Sequence, residues 1–77
     1  MDYKQTFAKN LLHLRKEQHI SQTRLADALR LNYRTIGMIE RGINAPSFEL
    51  LMKVSDYFNV SLDCLVGKLE TGRGENI

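Results

Sequence analysis

Between Ser21 and Gly42 the chain reads SQTRLADALRLNYRTIGMIERG, and this stretch holds most of its capacity for recognition chemistry. Leu25, Ala26 and Leu29 form a short apolar face, and Ile36 and Ile39 form an i, i+3 pair that can pack against it. With the isoleucines turned inward, Tyr33, Arg34, Gly37 and Met38 fall on or near the outward face of a helix, beginning at its N-terminus. A helix end of that kind can enter the major groove of DNA and present side chains to base edges. Enzymatic chemistry has no comparable basis. The sequence shows no paired-carboxylate site, no Ser/His/Asp arrangement and no phosphate-binding glycine loop, and a core this small leaves little room for a pocket. Neither catalysis nor a cofactor is expected, and two histidines with a single thiol, Cys64, make a structural zinc site a poor fit.

The elements that must hold this stretch read as short helices. Phe7, Leu11 and Leu14 at i, i+4, i+7 predict a first helix over about residues 3–18. Ser21 is a good N-cap for a second over 22–29, and Arg30-Leu31-Asn32 is the link to a third, with Asn32 as its cap and Gly42 as its stop. Ala26 lies where the two helices of the unit cross, a place that demands a small side chain. Pro46 and Ser47 open a fourth helix whose core stripe is read as Phe48, Leu51, Val54 and Phe58. Ser61 caps a fifth, with Leu62, Leu65 and Val66 facing inward and Gly67 ending it. No β-alternation and no internal repeat is visible, so the expected fold is all-α with five helices. Residues 1–67 are expected to form one domain and 68–77 a flexible tail, since that segment has two glycines, several charges and little periodicity.

Composition bounds the setting. At 77 residues and 8.9 kDa the chain is one domain. No apolar run approaches the length needed to span a bilayer, and a lone cysteine fits a reducing compartment, so a cytoplasmic location is expected. The net charge of +2 divides unevenly: residues 1–45 hold eight Lys/Arg against four acids, and residues 46–77 three against five. The first half suits a polyanionic partner and the second does not.

Several separate pieces, in order, carry a family resemblance. They are Leu11-x-x-Leu14-Arg15, Ile20-Ser21-Gln22-x-x-Leu25-Ala26, Thr35-Ile36-x-x-Ile39-Glu40-Arg41-Gly42, Pro46-Ser47-Phe48 with Leu51, and Val60-Ser61-Leu62-Asp63 with Leu65 and Gly67. Together they resemble the phage-repressor (Cro/cI, or XRE) helix-turn-helix regulators. The resemblance implies a compact lambda-repressor-like DNA-binding domain that binds a pseudo-palindromic, double-stranded operator as a homodimer, with repression the expected outcome. It also assigns roles. Ser21 and Gln22 match phosphate-contacting positions at the start of the second helix, Gln22 reaching a neighbouring base in some members. Tyr33, Arg34 and Met38 match positions that meet base edges, and Thr35 and Arg41 positions that touch the backbone. The loop through Asn44 would aim backbone N–H groups at a phosphate. At these positions Arg34 would pair bidentately with guanine, a contact of roughly 1–3 kcal/mol, and Met38 would meet a thymine methyl. Arg15 and Glu40 match an internal ion pair that joins the first helix to the end of the third.

Three residues depart from the family pattern: Arg30 and His19 stand where glycine is common, and Gly37 interrupts the third helix. Lys9, Lys16 and Arg24 read as solvated charges, His13 and His19 as surface histidines, and Cys64 as packing on the last helix. Leu50 lies beside the fourth helix's stripe, and with Leu62, Val66 and Leu69 it is expected to form an apolar patch for self-association through helices 4 and 5. The alternative is a protein-interaction module, such as an antitoxin or antagonist, that keeps the fold while its main partner is another protein.

Overall fold

A computed structural model describes residues 3–67, all helices and connections, with no strand among them. The order is α1 (Tyr3–Glu17), α2 (Gln22–Leu29), α3 (Tyr33–Glu40), α4 (Phe48–Phe58) and α5 (Leu62–Val66). The expected tail, with Leu69, lies outside the described residues. The helix starts follow from local chemistry. Ser21, Asn32, Ser47 and Ser61 each accept a hydrogen bond from a backbone N–H of the first turn, at 2.8–3.1 Å. Each cap satisfies a donor that would otherwise lack an intrahelical partner.

The helix ends share one device. His19, Arg30, Gly42, Asn59 and Gly67 all take positive φ, between 58° and 77°. After α2, the Leu31 N–H bonds the Ala26 carbonyl at 2.8 Å and the Arg30 N–H bonds that of Asp27 at 3.2 Å, the paired bonds of a Schellman turn. The same pairing follows α1, from His19 to Lys16 and Ile20 to Arg15. So the two residues that stand in place of glycine still adopt the glycine conformation, at a cost in backbone energy. Gly42 makes the same turn at a φ of 74°, and a Cβ there would require the flexible end of the Gln5 side chain, which donates to the Gly42 carbonyl, to move aside.

Phe7 and Leu11 of α1, Leu25, Ala26 and Leu29 of α2, Ile36 and Ile39 of α3, Leu50 and Val54 of α4 and Leu65 of α5 form the core. Helix α4 corrects the expected stripe. Phe48 is 70% exposed and Leu50 only 4%. Both the set counted from Phe48 and the set Leu50, Val54, Phe58 have helical spacing, and they share Val54 and Phe58; packing on α2 and α5 selects the second. The apolar patch expected around Leu50 is therefore absent at that residue, which faces the core. Cys64 is also corrected: it is exposed and packs in no interior.

Two side chains fasten elements in ways the linear pattern did not announce. Asn10 Nδ2 donates to the carbonyls of Cys64 and Leu65 at 3.2 and 2.7 Å, tying α1 to α5. Lys53 Nζ donates to the Leu29 carbonyl at 2.9 Å, placing a cation on the C-terminal end of α2, where the helix dipole favours it.

The left-handed turn at Arg30 yields the first prediction. Arg30→Gly removes a Cβ from positive φ and loses no buried contact, so it should stabilise the domain by about 1 kcal/mol. In a thermal melt followed by circular dichroism that corresponds to a rise of about 4–8 °C. An unchanged or lower midpoint would refute the assignment of strain to this turn.

Candidate nucleic-acid interface

Helix α3 begins at Asn32, whose Oδ1 accepts from the Arg34 N–H at 2.8 Å while its carbonyl accepts from the Thr35 N–H at 2.9 Å. This start fixes the helix rotation. Ile36 and Ile39 are 0% and 3% exposed, so Tyr33 and Arg34 must point away from the body; both are exposed, Tyr33 at 55%. Gly37 and Met38 are half-buried and Arg41 is exposed one turn further along.

These residues line one open hollow of about 560 Å³. Its walls bring Tyr33, Arg34, Gly37, Met38 and Arg41 of the third helix and its end together with Gln22 of α2 and with Leu12 and Lys16 of α1. Arg15 and Glu40 complete the lining. Of the residues singled out by sequence, Gln22, Tyr33, Arg34, Met38 and Arg41 thus converge on one surface. Asn44 does not line the hollow, but from the following loop its Nδ2 donates to the sulfur of Met38, which does, at 3.9 Å. Ser21 and Thr35 do not line the hollow; the Ser21 hydroxyl caps α2 and Thr35 is half-buried on the flank of α3. Lys16, read from sequence as a solvated charge, is brought beside Arg34 and Arg41 by the packing of α1 on α3. Only that long-range packing identifies it, because nothing in its sequence neighbourhood distinguishes it from Lys9.

Beneath this surface lies the pair expected from the resemblance. Arg15 Nε donates to Glu40 Oε2 at 2.6 Å and Arg15 Nη2 to Oε1 at 3.0 Å, a two-point contact between side chains 12% and 4% exposed. Arg15 Nη1 also donates to the Ile20 carbonyl at 2.9 Å. The hydrogen bond to Glu40 raises the arginine pKa above its usual value; partial burial opposes the rise and the carboxylate charge adds to it. The arginine's contribution is therefore present below its unfolded pKa and lost only in strong alkali. A third donor, Gln22 Nε2, reaches Glu40 Oε1 at 3.0 Å. One carboxylate thus holds α1, α2 and α3, and it neutralises one of the cations around the hollow. Lys16, Arg34 and Arg41 remain as a basic rim suited to phosphates.

Two short helices joined by a left-handed turn, with the second standing at a basic hollow, form the geometry of a helix-turn-helix unit. A sequence model described as helix-turn-helix matches residues 11–63. The chain belongs to the XRE-type helix-turn-helix family. That makes the matched segment a DNA-binding domain of the transcription-regulator class. Among similar curated proteins is the uncharacterized HTH-type transcriptional regulator YqaE of Bacillus subtilis (strain 168), 32% identical over 60 residues that cover 78% of this chain and 52% of the relative. Another is the HTH-type transcriptional regulator ImmR of the same organism, 29% identical over 68 residues, covering 88% of this chain and 54% of the relative. The chain spans about half the length of these relatives. No solved structure matches it. Among the described residues no helix is long and apolar enough to cross a membrane, and no group of three or more His, Cys, Asp or Glu could hold a metal ion.

The ion pair beneath the helix-turn-helix surface carries the second prediction. Arg15→Ala leaves the Glu40 carboxylate buried without its cation, which should cost about 3 kcal/mol. Urea denaturation of Arg15→Ala, Glu40→Ala and the double variant should reveal strong coupling, with the second substitution costing far less than the first. Additive losses would show that the two side chains do not depend on each other.

Proposed function

We propose that this domain binds a specific duplex sequence through α3 in the major groove and represses transcription by occupying its operator. The observation that carries the reading is the convergence of Gln22, Tyr33, Arg34, Met38 and Arg41 on one open, basic-rimmed hollow at a helix N-terminus. In this reading Tyr33, Arg34 and Met38 meet base edges, and Arg34 supplies bidentate recognition of guanine. Ser21, Thr35, Arg41 and Asn44 fix the register through the backbone, joined by Lys16.

In the same reading the domain acts as a homodimer on two half-sites about 34–36 Å apart, one helical turn of B-form DNA. The self-association surface is assigned to the α4–α5 side, where Phe48 and Met52 are 70% and 41% exposed at i, i+4 on one face of α4. Those side chains take the place that sequence had given to Leu50. The acidic excess of the second half keeps this side from competing for DNA. The action proposed is cytoplasmic, on the operator itself.

Selection of bound sequences from a random duplex pool tests the specificity. The wild-type domain should enrich a two-fold symmetric motif, and its affinity should fall steeply with salt because Lys and Arg displace counterions from phosphates. Arg34→Ala should lose preference for guanine at one position of each half-site, by about tenfold or more. Enrichment of no duplex sequence, together with tight capture of a protein partner, would replace this reading with an interaction module. Dimerisation has its own test: sedimentation with operator present should give two copies per site, and Phe48→Glu should reduce the complex to one. A monomer at high micromolar concentration for the wild-type domain on its operator would contradict the paired-half-site arrangement.

A further inference from the structure

A second hollow, of about 370 Å³, opens where the end of α2 meets α4. Ala28, Leu29, Arg30, Lys53, Asp56 and Tyr57 line it, and none of them lines the first hollow. The separation follows from helix geometry. Gln22 stands at the start of α2 and Ala28 near its end, about 9 Å further along the axis. On α4, Lys53 and Tyr57 share a face at i, i+4, and Tyr57 lies about two and a half turns from Phe48, on the opposite side of the helix. The second hollow therefore stands apart from the nucleic-acid interface and from the side assigned to self-association.

Its walls are held in place by the domain itself. Leu29 is buried and supplies an apolar floor. Tyr57 is 44% exposed, and its ring stands edge-on to Phe58, with centroids 5.0 Å apart at 88°. Lys53 Nζ is engaged by the Leu29 carbonyl at 2.9 Å and by Glu49 at 3.8 Å. Arg30 differs. Its side chain makes no hydrogen bond or ion pair among the described residues, although Asp56 borders the same hollow. Local stability does not account for it either, because at a φ of 61° glycine would turn the chain at lower cost. A strained position that carries a fork of five donors without a partner points to a group outside the domain.

We propose that Arg30 and this hollow form a docking site for a partner protein, which lays an apolar side chain against Leu29 and Tyr57 and sets an adjacent carboxylate on the Arg30 guanidinium. Charge selects the occupant. Among the described residues Arg30 is the one cation of the hollow without a partner, and a carboxylate matches its fork at two points. Nucleic acid fits poorly, because Asp56 would face its phosphates; the same carboxylate can accept a backbone N–H of an incoming protein segment. Arginine and tyrosine are also among the side chains that dominate protein contacts. The site does not depend on the proposed binding of duplex DNA. It leaves that surface uncovered, so a partner held here does not compete for the groove.

A displayed library of random linear peptides, selected on the 77-residue chain, tests the proposal. The enriched peptides should carry Asp or Glu beside a large apolar residue. Synthesised singly, they should bind Arg30→Gly about tenfold or more weakly than the wild-type chain. Unfolding does not explain such a loss, since Arg30→Gly relieves the turn, and a thermal melt of the same sample verifies it. Tyr57→Ser, shown to be folded in the same way, should weaken the same peptides. Neither Arg34→Ala nor excess duplex DNA should affect them. Peptides that duplex displaces, or that Arg34→Ala loses, sit on the first hollow and overturn the proposal. So do enriched peptides that are basic instead of acidic, equal binding to Arg30→Gly or to folded Tyr57→Ser, and a library that yields no binder. None of these results bears on whether the domain selects a duplex sequence, so the two readings fail separately.

Discussion

The carboxylate of Glu40 is the point on which the interface depends. It sits at the end of α3 with its side chain 4% exposed, and it takes two hydrogen bonds from Arg15 of α1 and one from Gln22 of α2. A charge so enclosed is tolerable only while its partners stay in place, so the three helices cannot reorient independently. Helix α3 has eight residues, too few to be stable in isolation. Its angle to the body is therefore set by Ile36 and Ile39 on one side and by this charged junction at its end. The recognition surface belongs to the assembly of α1, α2 and α3, and α3 alone would not present it.

A second constraint lies in the connections. His19, Arg30 and Asn59 turn the chain through left-handed conformations that glycine would adopt at lower cost. The turns persist because each satisfies carbonyls at a helix end and delivers a serine or asparagine to the place where the next helix needs its cap. At Arg30 the consequence is functional: the turn brings Asn32 to the start of α3 and so decides that Tyr33 and Arg34 emerge toward solvent. Tight connections of this kind leave little slack between the elements, which suits a surface that has to match the fixed spacing of base pairs.

The two faces of the molecule differ in chemistry. Around the hollow stand Lys16, Arg34 and Arg41, and on α4 the exposed side chains Phe48 and Met52 stand near Glu49 and Asp56. Of the eight cations in residues 1–45, Arg15, Lys16, Arg34 and Arg41 line the hollow, while Arg30 lies with Lys53 and Asp56 at the α2–α4 side. Lys53, a cation of the acidic half, is drawn off to the end of α2 and to Glu49 at 3.8 Å.

What the linear sequence determined is everything that local chemistry dictates. Ser21, Asn32, Ser47 and Ser61 announce helix starts because a side-chain oxygen one place before a helix finds an N–H within reach. The spacing of Leu25, Leu29, Ile36 and Ile39 announces which side of the unit is inner, and hence that Tyr33 and Arg34 are outer. The ion pair of Arg15 and Glu40 came from family likeness, since a separation of 25 positions gives no local sign of it. What tertiary structure alone decided is each choice between locally equivalent options. Helical spacing on α4 allowed either Phe48 or Leu50 to be buried, and the position of α2 and α5 excluded Phe48. Lys9 and Lys16 look alike in sequence, yet only Lys16 is carried to the hollow. Gln22 matches a DNA-contacting position by family likeness, but its amide meets Gly37 and Glu40 only because α2 crosses α3. The period of a helix fixes angles around one axis, and the approach of a second axis has to come from the packing.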